Sequence, residues 1–216
     1  MPLTAVSSSD IWKLEDRDVN PSPYYAGPDV AKLRSGGSLC VLENFKTRQQ
    51  ITPYTCGPVA ALMVLEHFQG SWPEDELTVA QKMGTNKISG TDPEQMAAYF
   101  REQGWQVQHN GVKAAPKEYG LWKSWVLEHL RHRVPVMVEN VDWGGHWRVI
   151  IGFDDLGNDY EDDDVLILAD PCDSTDHRCD GYNVTSALRF YDMWFDSRLF
   201  KSSLQTRPYV VAEPRG

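Results

Sequence analysis

From Cys56 to Gly70 the chain reads CGPVAALMVLEHFQG, and Ala60 to Leu65 are apolar without a break. A helix over this run is apolar on every side, has no face to offer to water and belongs in the middle of a domain. Pro58 falls in the first turn, where its missing N–H costs nothing, and Gly70 ends the run. Covering such a helix takes a sizeable chain. With 216 residues, 41% of them hydrophobic, this one suffices for a single domain, or for one domain with an extension.

The pattern around that helix falls into two halves. Further helices are predicted over Pro73 to Met83, from a Thr91 or Asp92 cap through Met96, Ala97 and Phe100 to a stop at Gly104, and over about Tyr119 to His132. Short β-branched runs then predict strands at 135–141, 146–154 and 165–170, the last two joined by the acidic connection DLGNDYEDDD. A last helix is expected from a Thr185 cap through TSALRFYDMWFDS, and RPYVVAEP reads as a C-terminal strand. Helices followed by antiparallel strands make an α+β layout. Residues 1–45 form an N-terminal extension, loop-like in VNPSPYYAGPDV with a turn and short strand in SGGSLCVLENF, and residues 46–216 form the domain proper.

Cys56 directly precedes the apolar helix, so its sulfur lies near the first helical N–H groups, whose partial positive charge favours thiolate over thiol. A lone free cysteine is more often an inert buried residue, so a nucleophile needs partners. Gln50 stands six residues upstream in QQITPYTCGP, a side-chain amide placed to donate to an oxyanion alongside the Cys56 N–H, and Gln49 competes for that role. His146 opens a strand directly after Gly144-Gly145. His67 and His129 fall on helices, His132 at a helix end and His109 in a strand-to-turn region. Asp170 closes the strand 165–170 before Pro171. If strands 146–154 and 165–170 pair as a hairpin, Asp170 returns beside His146, where a carboxylate fixes the imidazole tautomer and stabilises the imidazolium. Trp143 and Trp147 flank His146 and, with Gly144 and Gly145, are candidates to line a substrate cleft.

The order Gln50, Cys56-Gly57-Pro58, an Ala/Leu/Met-rich helix, Gly145-His146 before an apolar strand, and Asp170-Pro171 resembles the bacteriocin-processing cysteine peptidases and their stand-alone relatives. SGTDPEQM before a helix, RVPVMVEN before the histidine, and Ser186, Phe190 and Trp194 in a helix after Asp-Pro extend the likeness over roughly residues 46–200. The resemblance implies a papain-like fold, with the central Cys helix packed on an antiparallel sheet. It also implies a triad of Cys56, His146 and Asp170 with Gln50 in the oxyanion hole, acting on a peptide or small amide through a thioester. The acidic stretch 154–164 lengthens the usual connection between His and Asp, and no transporter segment accompanies the domain. Two alternatives stand beside hydrolysis: a peptidyl transferase of the phytochelatin-synthase kind, and a catalytically silent peptide-binding module.

A formal charge of −10 and a pI near 5.0 argue against nucleic acid and anionic membranes as partners. No run approaches the ~20 apolar residues of a membrane span, and MPLTAVSSSDIWKLEDRD lacks the pattern of a secretory signal, so a cytoplasmic location is expected. Cys172, His177 and Cys179, with Asp173 and Asp176 alongside, lack the fourth ligand of a structural zinc site and read as a rim loop. Neither metal nor other cofactor is expected. Cys172 and Cys179 are near enough to bridge in an oxidising setting and are expected as thiols in a cytoplasm. The acidic run Asp159 to Asp164 lacks the ligand spacing of a calcium loop and reads as a solvated turn.

Overall fold

The computed structural model describes residues 27–175 and 178–215. At its centre is α1 (Cys56–Gln69), in which every residue from Cys56 to Leu65 is buried. Its end is set by Gly70, whose φ of 80° lies in the region that favours glycine and whose N–H closes on Glu66 O at 2.7 Å. Helix α2 (Glu76–Met83) starts later than Pro73 because Asp75 is the cap, accepting from Thr78 N. In α3 (Pro93–Glu102) the cap is Asp92, which forms a reciprocal box with Gln95. Thr91 is buried instead, its carbonyl accepting the Trp147 indole N–H at 2.8 Å. Helix α4 (Tyr119–Arg131) buries Trp122 completely among Tyr119, Phe153, Phe190, Tyr191 and Trp194.

The sheet is antiparallel throughout. Its strands are β1 (Leu39–Val41), β2 (Gln106–His109), β3 (Val136–Asn140), β4 (His146–Asp154), β5 (Val165–Ala169), β6 (Tyr182–Ser186) and β7 (Tyr209–Glu213). They run β2-β7-β3-β4-β5-β6, and β1 joins the far half of β4, with Val41 opposite Gly152. Strand β6 has no counterpart in the sequence prediction and β2 only the strand-to-turn reading at His109: QVQH and YNVTS are polar and lack apolar alternation. The last helix also differs from expectation. Thr185, β-branched, pairs with Leu166 inside β6 rather than capping. Ser186 is the cap, accepting from Arg189 N, and α5 (Ala187–Asp192) ends before Trp194.

Two connections position the site. A 3-10 turn, Asp142–Gly144, joins β3 to β4 and delivers His146 at the first position of β4. Between β4 and β5 the register shifts at Ile150/Gly152, and Val149 then faces Ala169, which places Asp170 just past the end of β5 on the side of His146. Helix α1 packs against β4, so the helix start and the strand start meet. Among the described residues no helix is long and apolar enough to cross a membrane.

Candidate active site

Cys56 opens α1, His146 opens β4 and Asp170 follows β5, and the three side chains converge in the protein interior. The His146 Nε2 is 2.6 Å from Asp170 Oδ1, and the ring is hydrogen-bonded to the Cys56 sulfur. With Nε2 engaged by Asp170, Nδ1 is the nitrogen left for the thiol. Burial alone would push the Cys56 thiol up. The His146 hydrogen bond and charge, with the N–H groups of Trp147 and Gly57, outweigh burial and lower it below its usual value. Burial likewise opposes a charged His146, but Asp170 and Cys56 raise its pKa to about 9. The two shifts both favour the thiolate–imidazolium form of the pair over the neutral one.

Asp170 is itself clamped. Besides His146 it accepts from Arg148 Nε at 2.6 Å and from the Cys172 backbone N–H at 2.8 Å. Burial would raise its pKa, but the His146 and Arg148 charges hold it well below the usual carboxylate range. Arg148 is 5% exposed and also reaches Asn140 Oδ1 at 2.9 Å and Asp142 Oδ2 at 2.5 Å, tying the carboxylate to the turn that precedes His146. Sequence reasoning passed over this residue. The signal was present: in HWRVIIGFD it is the one cation amid apolar residues, two positions after His146 and hence on the same face of the strand.

The paired glutamines part company. Gln49 spans the turn after Asp170, donating to Asp170 O at 2.8 Å and accepting from Asp173 N at 3.1 Å. Gln50 is 2% exposed; its Nε2 donates to Thr52 O at 2.7 Å, while Oε1 has no partner among the described residues. Its backbone N–H binds Pro171 O at 2.8 Å, which stitches the loop before Cys56 to the turn after Asp170. The same loop is held from the other side by Glu76, which is buried and accepts from Ile51 N at 3.0 Å and from the Thr55 hydroxyl.

The expected cleft residues have distinct places. Gly144 has φ 108°, and a side chain at Gly145 would overlap the Glu139 carboxyl, so the pair is required for conformation and for close approach. The Trp147 ring is buried against Thr91 and Gly57, and its backbone N–H faces the Cys56 sulfur. The Trp143 side chain, like His177 and Asp176 of the loop considered for zinc, lies outside the described residues. A cavity of about 620 Å³ lies behind Arg148, lined also by Asn140, Asp142, Tyr182 and Arg189; Cys56 is not among its walls.

Residues 42–194 match the model of the Peptidase_C39-like family, which is most of the chain. The chain belongs to that family. Its α+β architecture is the papain-like cysteine peptidase fold of the Peptidase_C39-like proteins. The peptidase domain of Streptococcus ComA, a bi-functional ABC transporter involved in a quorum-sensing pathway, superposes with a TM-score of 0.50 at 17% identity, over 79% of this chain and 99% of that one. A double-glycine motif protease from an AMS/PCAT transporter, in complex with the leader peptide, gives 0.47 at 15% identity, over 79% and 91% of the two chains. The peptidase domain of Streptococcus mutans ComA gives 0.43 at 14% identity, over 79% and 100%. No curated protein is a significant match.

Proposed function

We propose that this member of the Peptidase_C39-like family is a cysteine peptidase that cleaves an amide bond in a peptide or small amide, with Cys56 as nucleophile. The observation that carries the reading is the buried His146 ring, held by Asp170 on one nitrogen and hydrogen-bonded to Cys56. The Cys56 thiolate attacks the carbonyl carbon, a C–S bond forms and the carbonyl pair moves onto oxygen. The oxyanion accepts from the Cys56 N–H and from the second amide N–H of Gln50, the first being given to Thr52 O. His146 passes its proton to the departing amine as the C–N bond breaks, leaving a thioester. It then takes a proton from water, whose oxygen attacks the thioester, and the acid leaves as thiolate and imidazolium are restored. Asp170 keeps the ring in one orientation and favours its charged form.

The test is a mixture of peptides and simple amides incubated with the purified chain and read by mass spectrometry, with and without an added amine acceptor. Hydrolysis adds one water to the acyl product, whereas transfer to the acceptor shifts it by the acceptor's mass. Cys56→Ala is expected to cut turnover by about 10⁴-fold or more while the fold persists. Undiminished cleavage by Cys56→Ala overturns the reading.

A further inference from the structure

Glu139 pairs with Trp147 across the β3–β4 ladder, so both side chains leave the same face of the sheet. It is 1% exposed, and neither carboxyl oxygen has a hydrogen-bond partner. Close by, Asp196 is 4% exposed; its Oδ2 accepts from Phe200 N at 3.2 Å, while Oδ1 has no partner. Among the described residues neither acid is ion-paired. Three open acidic oxygens inside a protein are a poor way to fill space, because a buried polar group without a donor is destabilising.

Their position points to the reaction. Glu139 Oε1 lies directly under Gly145, the residue before His146, and Leu199 closes the same spot. The covering is slight: the turn Asp142–Gly144 and the segment 197–199 are joined by a hydrogen bond from the Ser197 hydroxyl to Gly144 O. Burial, Asp196 and the neighbouring Cys56 all push the Glu139 carboxyl well up.

We propose that Glu139 and Asp196 form a recognition site for a primary ammonium group of the substrate, held beside the scissile bond. This deepens the cysteine peptidase reading and rests on it. An ammonium brings three N–H donors and a full charge, matching the three open oxygens. It enters when the Ser197–Gly144 contact parts.

The experiment uses two thiol reagents on the full chain, with modification of the Cys56 peptide followed by mass spectrometry. Methyl methanethiosulfonate is neutral and 2-aminoethyl methanethiosulfonate carries the ammonium; in both, thiolate sulfur forms a disulfide and methanesulfinate leaves. The cationic reagent is expected to react about tenfold faster or more and to saturate, and Glu139→Gln or Asp196→Asn to bring the ratio to within about threefold. A ratio near one in the unaltered chain, or one unmoved by both substitutions, overturns the proposal. Protection of the unaltered chain makes the test independent of how the variants fold. Butylammonium should shield Cys56 from the methyl reagent and tetramethylammonium, which has no N–H, should not; equal or absent protection also overturns it. If the methyl reagent attacks Cys56 no faster than Cys40, the thiol is not activated and the peptidase reading fails first.

Discussion

Asp170 accepts from His146, Arg148 and the Cys172 backbone, and this trio explains how a carboxylate stays ionised with no exposed surface. Removing one member leaves the others buried and uncompensated. Arg148→Gln is expected to lower stability by roughly 3–5 kcal/mol, read from denaturant unfolding. Asp170→Asn keeps the shape but loses the charge: kcat/KM should fall about 10²–10⁴-fold, and the His146 pKa should drop from about 9 toward its ordinary value. The two glutamines give a sharper contrast. Gln50→Ala should cost about 10²–10³-fold in kcat, with a loss of only about 1 kcal/mol for its single bond to Thr52 O. Gln49→Ala, which loses two bonds across the 170–173 turn, should appear in the unfolding midpoint, at about 1–3 kcal/mol.

At the scale of elements, the site depends on how closely the start of α1 seats against its neighbours. A Cβ at Gly57 would lie 2.9 Å from the Thr91 Cβ and 3.3 Å from the Trp147 ring. Gly57→Ala therefore pushes the helix start away from β4, whose Trp147 N–H helps hold the Cys56 sulfur. The expected result is a loss of about 1–3 kcal/mol and an upward shift of the thiol pKa, seen as slower alkylation by iodoacetamide at neutral pH. A stable variant with an unaltered alkylation profile would show that this seating does not tune the thiol. Local signals reached these elements well where they were local. Gly70 and the β-branched runs name their own stop and strands, and the start of α3 is narrowed to Thr91 or Asp92, whereas β2 and β6 are polar segments that become strands only because β7 and β5 present edges to them.

For the whole molecule, the shifts define a pH window. The lowered Asp170 pKa contributes stability that is present above its unfolded value of about 3.9 and lost as pH falls toward the folded value. The raised His146 pKa contributes stability that is complete below about 6.5 and lost as pH rises through about 9. Amide cleavage needs thiolate and imidazolium together, so turnover should rise through the lowered Cys56 pKa and decline near 9. Alkylation needs the thiolate alone and should hold above that decline. Profiles that fall together on the alkaline side would remove His146 as the proton donor. By itself the sequence determined the buried Cys helix, the order of Cys56, His146 and Asp170, and the α+β class, because apolar periodicity, caps and turn residues act within a few positions. The tertiary structure alone decided that Gln49 braces the turn while Gln50 stays near it, that Arg148 completes the clamp, and that Glu139 meets Asp196. Those pairings join residues far apart in the chain, and they follow from strand register, the bulge in β4 and loop closure, which no local pattern encodes.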